Sequence, residues 1–171
     1  MARKQKTEDG RSGGAAFLLA QVGSHAAQQF ASRLEQTELT PAHAGVLRIL
    51  DHSPGITQQQ LASMLGMVPS RLVTLMDELD QRGLTERRKN ADDRRSHALH
   101  LTTKGQRMLQ TVGEIAREHQ RMLIKSLSDE EQKHLTELLQ RIADEQELRR
   151  LVHPGYRAKS GEAEGQRASQ K

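Results

Sequence analysis

The sequence predicts a mainly α fold with a small β-wing, that is, a helical chain interrupted by one β-hairpin. Between about residues 15 and 151 the apolar side chains recur three and four positions apart, the spacing of a buried helix face. The departure is Leu84 to Leu101, where two short segments flank a cluster of turn formers, Asn90, Asp92 and Asp93. The palette agrees. With Phe17, Phe30 and Tyr156 as the only aromatics, a core must be built from Leu, Met, Val, Ile and Ala, which suit packed helices. At 171 residues the chain is read as one domain able to bury roughly two-thirds of the surface its unfolded state exposes.

Residues 1–14 are polar, mixed in charge and glycine-containing, and are expected to form a flexible arm; residues 152–171 are read as a flexible tail. The first helix is expected over about Ala15 to Glu35, with Phe17, Leu18, Val22, Ala26, Phe30 and Leu34 near one face. Thr40 and Pro41 supply an N-cap and a favoured first position for a second helix through Val46, Leu47, Ile49 and Leu50, which Ser53, Pro54 and Gly55 end. Thr57 caps a short third helix, with Leu61, Met64 and Leu65 expected inside and Gly66 closing it. A longer fourth helix begins near Ser70, carries Leu72, Leu75, Met76 and Leu79 on one face, and stops at Gly83. Two helices joined by so tight a turn form a helix-turn-helix.

The segments Leu84–Arg88 and His97–Leu101 follow as the two strands of a hairpin, placing a wing after the helix-turn-helix. Thr102 caps a long helix whose stripe Met108, Val112, Ile115, His119 and Met122 has a heptad-like rhythm. Ser128 and Glu131 form a capping box for a last helix, whose Leu135, Leu138, Leu139 and Ile142 are expected to face inward and which is expected to extend through Leu148 and Leu151. On this reading a DNA-binding core covers about 40–102, and the helices over about 15–36 and 103–151 flank it without belonging to it.

The formal charge of +4 has a location. Arg82 to Lys104 holds seven basic residues (82, 87, 88, 89, 94, 95 and 104) and three acidic ones (86, 92 and 93), whereas the remainder carries nineteen of each sign. The whole excess therefore falls in one 23-residue segment, the footprint expected of a polyanion site.

A helix-turn-helix offers the first turns of its second helix to the major groove. Once the apolar stripe is buried, Ser70, Arg71 and Thr74 remain to meet bases or phosphates: Arg71 by a bidentate contact to guanine or by a phosphate contact, Ser70 and Thr74 as short donors and acceptors. Asp77 reads better as a local organiser. Gln58 and Gln59, in the first turn of the preceding helix, suit a phosphate. Arg94 and Arg95, at the hairpin tip, suit the narrow minor groove, with Asp92 and Asp93 holding an arginine extended.

The strings TQQQLASMLGM, SRLVTLMDELDQRGLTERR and DDRRSHALHLTTKG resemble the MarR family (multiple antibiotic resistance regulators), bacterial dimeric winged helix-turn-helix repressors. The likeness covers about Ala15 to Leu151, and the family's Asp-x-Arg pattern in the wing maps onto Asp93 and Arg95. Many members carry Thr-Arg in the middle of the recognition helix where this chain has Val73-Thr74, so base contacts are assigned to Arg71 instead. The resemblance implies a homodimer built by the terminal helices, and a two-fold axis then implies double-stranded DNA read as an inverted repeat, with half-sites ~34 Å apart. It also implies release by a small anionic or aromatic ligand in a crevice between the first, second and fifth helices, where His25, His43, Arg48 and His119 are the polar candidates.

Other classes are weaker. No cysteine is present, which removes disulfides, thiolate metal sites, cysteine nucleophiles and thiol switches. A metal-responsive repressor would need ligands such as Glu38, His43, Glu118 and His119 to converge, and no tight spacing supports that, so neither metal nor cofactor is expected. A non-specific architectural DNA binder shares the charge stripe and differs in its specificity ratio. An enzyme is not expected: Asp92, Asp93, His97 and His100 lie on an exposed hairpin without a nucleophile motif or phosphate loop. The N-terminal residues lack the hydrophobic region of a secretory signal, and no apolar run suits a membrane, so a cytoplasmic protein is expected.

Overall fold

The computed structural model describes residues 13–89 and 97–148. Their order is α1 (Ala15–Leu34), a 3-10 turn (Glu35–Thr37), α2 (Pro41–His52), α3 (Gln58–Leu65), α4 (Pro69–Gln81), β1 (Thr85–Lys89), β2 (His97–Leu101), α5 (Thr103–Leu123) and α6 (Asp129–Glu145). The mainly α fold with a β-wing is thus the observed one.

Helix starts follow the caps written in the sequence. Thr57 and Gln60 satisfy each other's backbone N–H groups at the head of α3, as do Ser128 and Glu131 at α6. At α6 the Ser128 backbone N–H and hydroxyl hold the Glu131 carboxyl below the usual range. At α2 the same box is made with a histidine: the Thr40 hydroxyl accepts the His43 N–H, and His43 Nδ1 accepts the Thr40 N–H at 3.1 Å. Helix α4 starts at Pro69, one residue before Ser70, because proline fits the first helical position; its cap residue, Val68, makes no side-chain cap. Gly66 ends α3 at φ 65°, the left-handed conformation that lets the chain turn at once into α4.

One core joins these elements. Leu47 and Leu50 of α2, Leu61 and Leu65 of α3, Leu72, Met76 and Leu79 of α4, Leu84, and Leu99 of β2 are fully buried together. Leu34 of α1 and Val112 and Ile115 of α5 belong to the same cluster. The outer helices therefore do not merely flank the winged core; the end of α1 and the first half of α5 complete it. Close approach makes this seating tight. The first turn of α5 passes so near Leu84 that a Cβ on Gly105 would overlap the Leu84 carbonyl oxygen, while Thr102 donates its hydroxyl to the Gly83 carbonyl at 2.6 Å.

The hairpin is antiparallel, with Thr85 opposite Leu101 and Arg87 opposite Leu99. On its other side β2 exchanges two hydrogen bonds with the segment after α2: Gly55 N–H to the Leu99 carbonyl and Leu99 N–H to the Ile56 carbonyl, each 2.9 Å. The first strand begins at Thr85 instead of Leu84, because Leu84 is spent on the core.

Three expectations on packing are corrected. Met64 is 40% exposed, and Ala62 takes the buried position beside Leu61 and Leu65. Helix α6 stops at Glu145: Glu147 is left-handed (φ 50°), its N–H bonds the Asp144 carbonyl, and the Leu148 N–H bonds the Ala143 carbonyl, a Schellman closure that excludes continuation through Leu148. Leu151 lies outside the described residues. Finally, α6 buries no residue within the chain, and Leu138, Leu139 and Ile142 face outward, as do Phe17, Leu18 and Val22 on α1.

Candidate DNA-binding surface

Four leucine and methionine side chains fix the orientation of α4. With Leu72, Leu75, Met76 and Leu79 inward, the opposite line of the helix is Ser70, Thr74, Asp77 and Gln81, all exposed. Val73 and half-buried Arg71 flank that line on its two sides. The Thr74 hydroxyl lies 3.5 Å from the Ser70 carbonyl, leaning back along the helix. Gln59 is exposed and Gln58 half-buried on the first turn of α3, while Gln60 is committed to its cap.

The wing is tied to this helix by one arginine. Arg87 donates Nε to Asp80 at 2.9 Å and an Nη to Asp77 at 2.6 Å, and the Thr85 hydroxyl donates to the second oxygen of Asp80. Asp77 is thereby the local organiser expected of it. Its partner comes from the segment that charge counting had assigned to a polyanion, and other cations there have internal work too. Arg82 donates to the Thr37 and Glu38 carbonyls at 2.7 Å each, locking the end of α4 to the turn before α2. Lys104 donates to the Arg82 carbonyl, and Arg88 pairs with Glu86. Charge in the sequence did not distinguish these structural cations from surface ones; the alternation of β1 toward and away from α4 was the signal that separates Arg87, turned to Asp77 and Asp80, from Arg88, turned with Glu86 to the other face. Asp92, Asp93, Arg94 and Arg95 lie outside the described residues.

The four ligand-crevice candidates separate. His25 and His119 line one crevice of about 190 Å³ between α1 and α5, together with Gln29, Arg33, Met122 and Leu123. The ring of Phe30 stands 5.6 Å from that of His119. Burial, with the charges of Arg33 and His25, holds His119 below the usual histidine value. Arg33, which sequence reasoning passed over, has a buried Nε without a hydrogen-bond partner. His43 and Arg48 are not on those walls. Arg48 is exposed on α2, and His43, only 6% exposed, is bonded through Nε2 to Glu78 Oε2 of α4 at 2.7 Å. The crevice expectation for His43 is corrected accordingly: Nδ1 is used in capping α2 at Thr40 and Nε2 in seating α2 on α4. The imagined metal set is dispersed, since Glu38 pairs with Arg82, Glu118 with Arg121, and His43 with Glu78. Among the described residues no helix is long and apolar enough to cross a membrane.

Comparison with known proteins agrees with this geometry. Residues 39–97, from the turn before α2 into the wing, match the model of the MarR family. A putative transcriptional regulatory protein for the hcr operon of Thauera aromatica is 31% identical over 116 residues, 67% of this chain and 70% of that protein. The transcriptional repressor CouR, bound to a 23-mer DNA duplex, is 32% identical with a TM-score of 0.67, over 75% of this chain and 92% of its own. Apo MarR from E. coli has the same fold, with a TM-score of 0.69 at 24% identity over 75% of this chain and 95% of its own. A helix-turn-helix with an exposed polar line, braced by a wing and matched along two-thirds of its length by a regulator, places this chain in the MarR family of DNA-binding transcriptional regulators, which are not enzymes.

Proposed function

We propose that the chain acts in the cytoplasm as a homodimeric repressor on a pseudo-palindromic operator and is released by a small anionic, aromatic ligand. The observation that carries the reading is the exposed line of Ser70 and Thr74 on α4, with Arg71 at its edge and the wing fixed alongside through Arg87. CouR, similar over most of its length, is bound to a DNA duplex. The dimer is supported by the apolar surfaces of α1 and α6, with Phe17, Leu18, Leu138, Leu139 and Ile142 uncovered in a single chain. The ligand class is supported by the crevice holding Arg33, His25 and His119 beside Phe30: an aromatic carboxylate would give the orphaned Arg33 Nε an acceptor and lay its ring against apolar surface.

Genomic fragments retained by the purified protein should contain an inverted repeat, and an aromatic-carboxylate panel should release them. On the selected site Arg71→Ala should cost about 1–3 kcal/mol and relax one base preference. Arg94→Ala and Arg95→Ala should each reduce the log–log salt slope by about one unit per lost phosphate contact. Equal loss on random DNA would assign Arg71 to phosphate alone, and an unchanged slope would remove the wing from the interface.

A further inference from the structure

The groove-facing end of α4 carries two exposed valines where local structure favours other residues. Val68 occupies the N-cap, a position preferred by Ser, Thr, Asp or Asn, makes no side-chain cap, and is 63% exposed. Val73 stands in the second turn, 42% exposed, where a β-branched residue is a poorer helix former than alanine. Isolated exposed apolar residues are ordinary on any protein. These two differ because they bracket Ser70 at one end of one helix, outside the hydrophobic core, on the element whose polar line is turned outward. Neither side chain caps α4 or belongs to the hydrophobic core.

The major groove offers one apolar feature, the C5-methyl group of thymine. We propose that Val73, with Val68 beside the turn, reads thymine methyl groups in each half-site, so that part of the sequence preference is hydrophobic and lies where many relatives place Thr-Arg. The inference rests on the operator reading above. Ser70 and Thr74 supply hydrogen bonds along the middle of the face, and Val73 fills the flank opposite Arg71, which a methyl can occupy and a polar base edge cannot without losing water. The basic hairpin alongside gives the charge complementarity that brings a duplex to this face.

The test replaces thymidine by deoxyuridine, position by position, in the operator selected from genomic DNA, which removes the methyl and leaves every hydrogen-bonding group. Wild-type protein should bind about fourfold more weakly when one contacted methyl is lost and about sixteenfold when both half-sites are changed. Val73→Ala should bind the thymidine and deoxyuridine duplexes equally at that position, and Val68→Ala should do so at a second, flanking position. Both variants should melt like the wild type, since both side chains lie outside the core. Tolerance of deoxyuridine at every position by a protein that still retards the operator overturns this proposal and leaves the operator reading standing. Undiminished penalties in both valine variants overturn it as well. Failure to retard any genomic fragment removes the operator reading, and this one with it.

Discussion

His43 Nε2 donates to Glu78 Oε2 at 2.7 Å while Nδ1 of the same ring accepts the Thr40 N–H, so one neutral imidazole both starts α2 and fastens it to α4. The arrangement defines the tautomer, with the proton on Nε2. Helix α2 packs on α5 and α4 carries the exposed polar face, so this ring joins the interior of the chain to its candidate DNA surface.

Stability should depend on pH through this ring. Burial holds His43 below the ordinary histidine value, against the upward pull of the Glu78 hydrogen bond and charge; the Arg82 charge adds to the lowering. A group whose pKa is lower folded than unfolded takes up more protons on unfolding. Its contribution is therefore complete above the unfolded value of about 6.5 and is lost as pH falls toward the folded value. Melting temperature should fall from about pH 7.5 to about pH 5.5, less steeply in His43→Gln. His119 is shifted the same way, so adding His119→Gln should flatten the profile further. Identical slopes in wild type and variants would show that neither ring is the titrating group.

Arg87 binds Asp77 and Asp80 from β1, and its side chain is about one-third exposed. Solvent screening limits each pair, so Arg87→Ala should cost only about 1 kcal/mol in urea unfolding. The larger effect should be on geometry: hydrogen exchange in β1 should quicken relative to α2. In a double-mutant cycle, Asp77→Asn should reduce the cost of Arg87→Ala; strict additivity would mean the Arg87–Asp77 pair contributes nothing to holding the wing.

Gly105→Ala inverts a rule of helix propensity. In an open helix the change would stabilise by about 1 kcal/mol. Here the new methyl meets the Leu84 carbonyl oxygen, which is backbone and cannot swing aside. A net loss of roughly 2–4 kcal/mol is expected, read as a lower urea midpoint. A stabilised variant would show that α5 can slide away from Leu84.

Leu139→Glu and Ile142→Glu place charge on the outward face of α6 without touching the core. Sedimentation should report a dimer for the wild type and a folded monomer for the variants, with helical circular dichroism retained and operator affinity reduced by at least tenfold. A dimer that survives both substitutions would place the subunit contact elsewhere.

Most of the architecture was legible because local physics wrote it. The caps at Thr40, Thr57, Thr102 and Ser128, the stops at Gly66 and Gly83, and the stripe Leu72, Leu75, Met76, Leu79 are decided within a few residues of chain, and each stands where it was expected. Ser70 and Thr74 followed from that stripe by subtraction. What sequence alone could not decide was which partner a long side chain would find. Arg87 and Arg88 are adjacent and alike on paper, yet one bonds across to α4 and the other to its neighbour Glu86; His43 looked like a pocket residue and became a buried pin. Those choices depend on partners that lie 2, 7, 10 and 35 residues away along the chain, and which of them a side chain meets is settled only when α2, α4 and the hairpin close over a shared core.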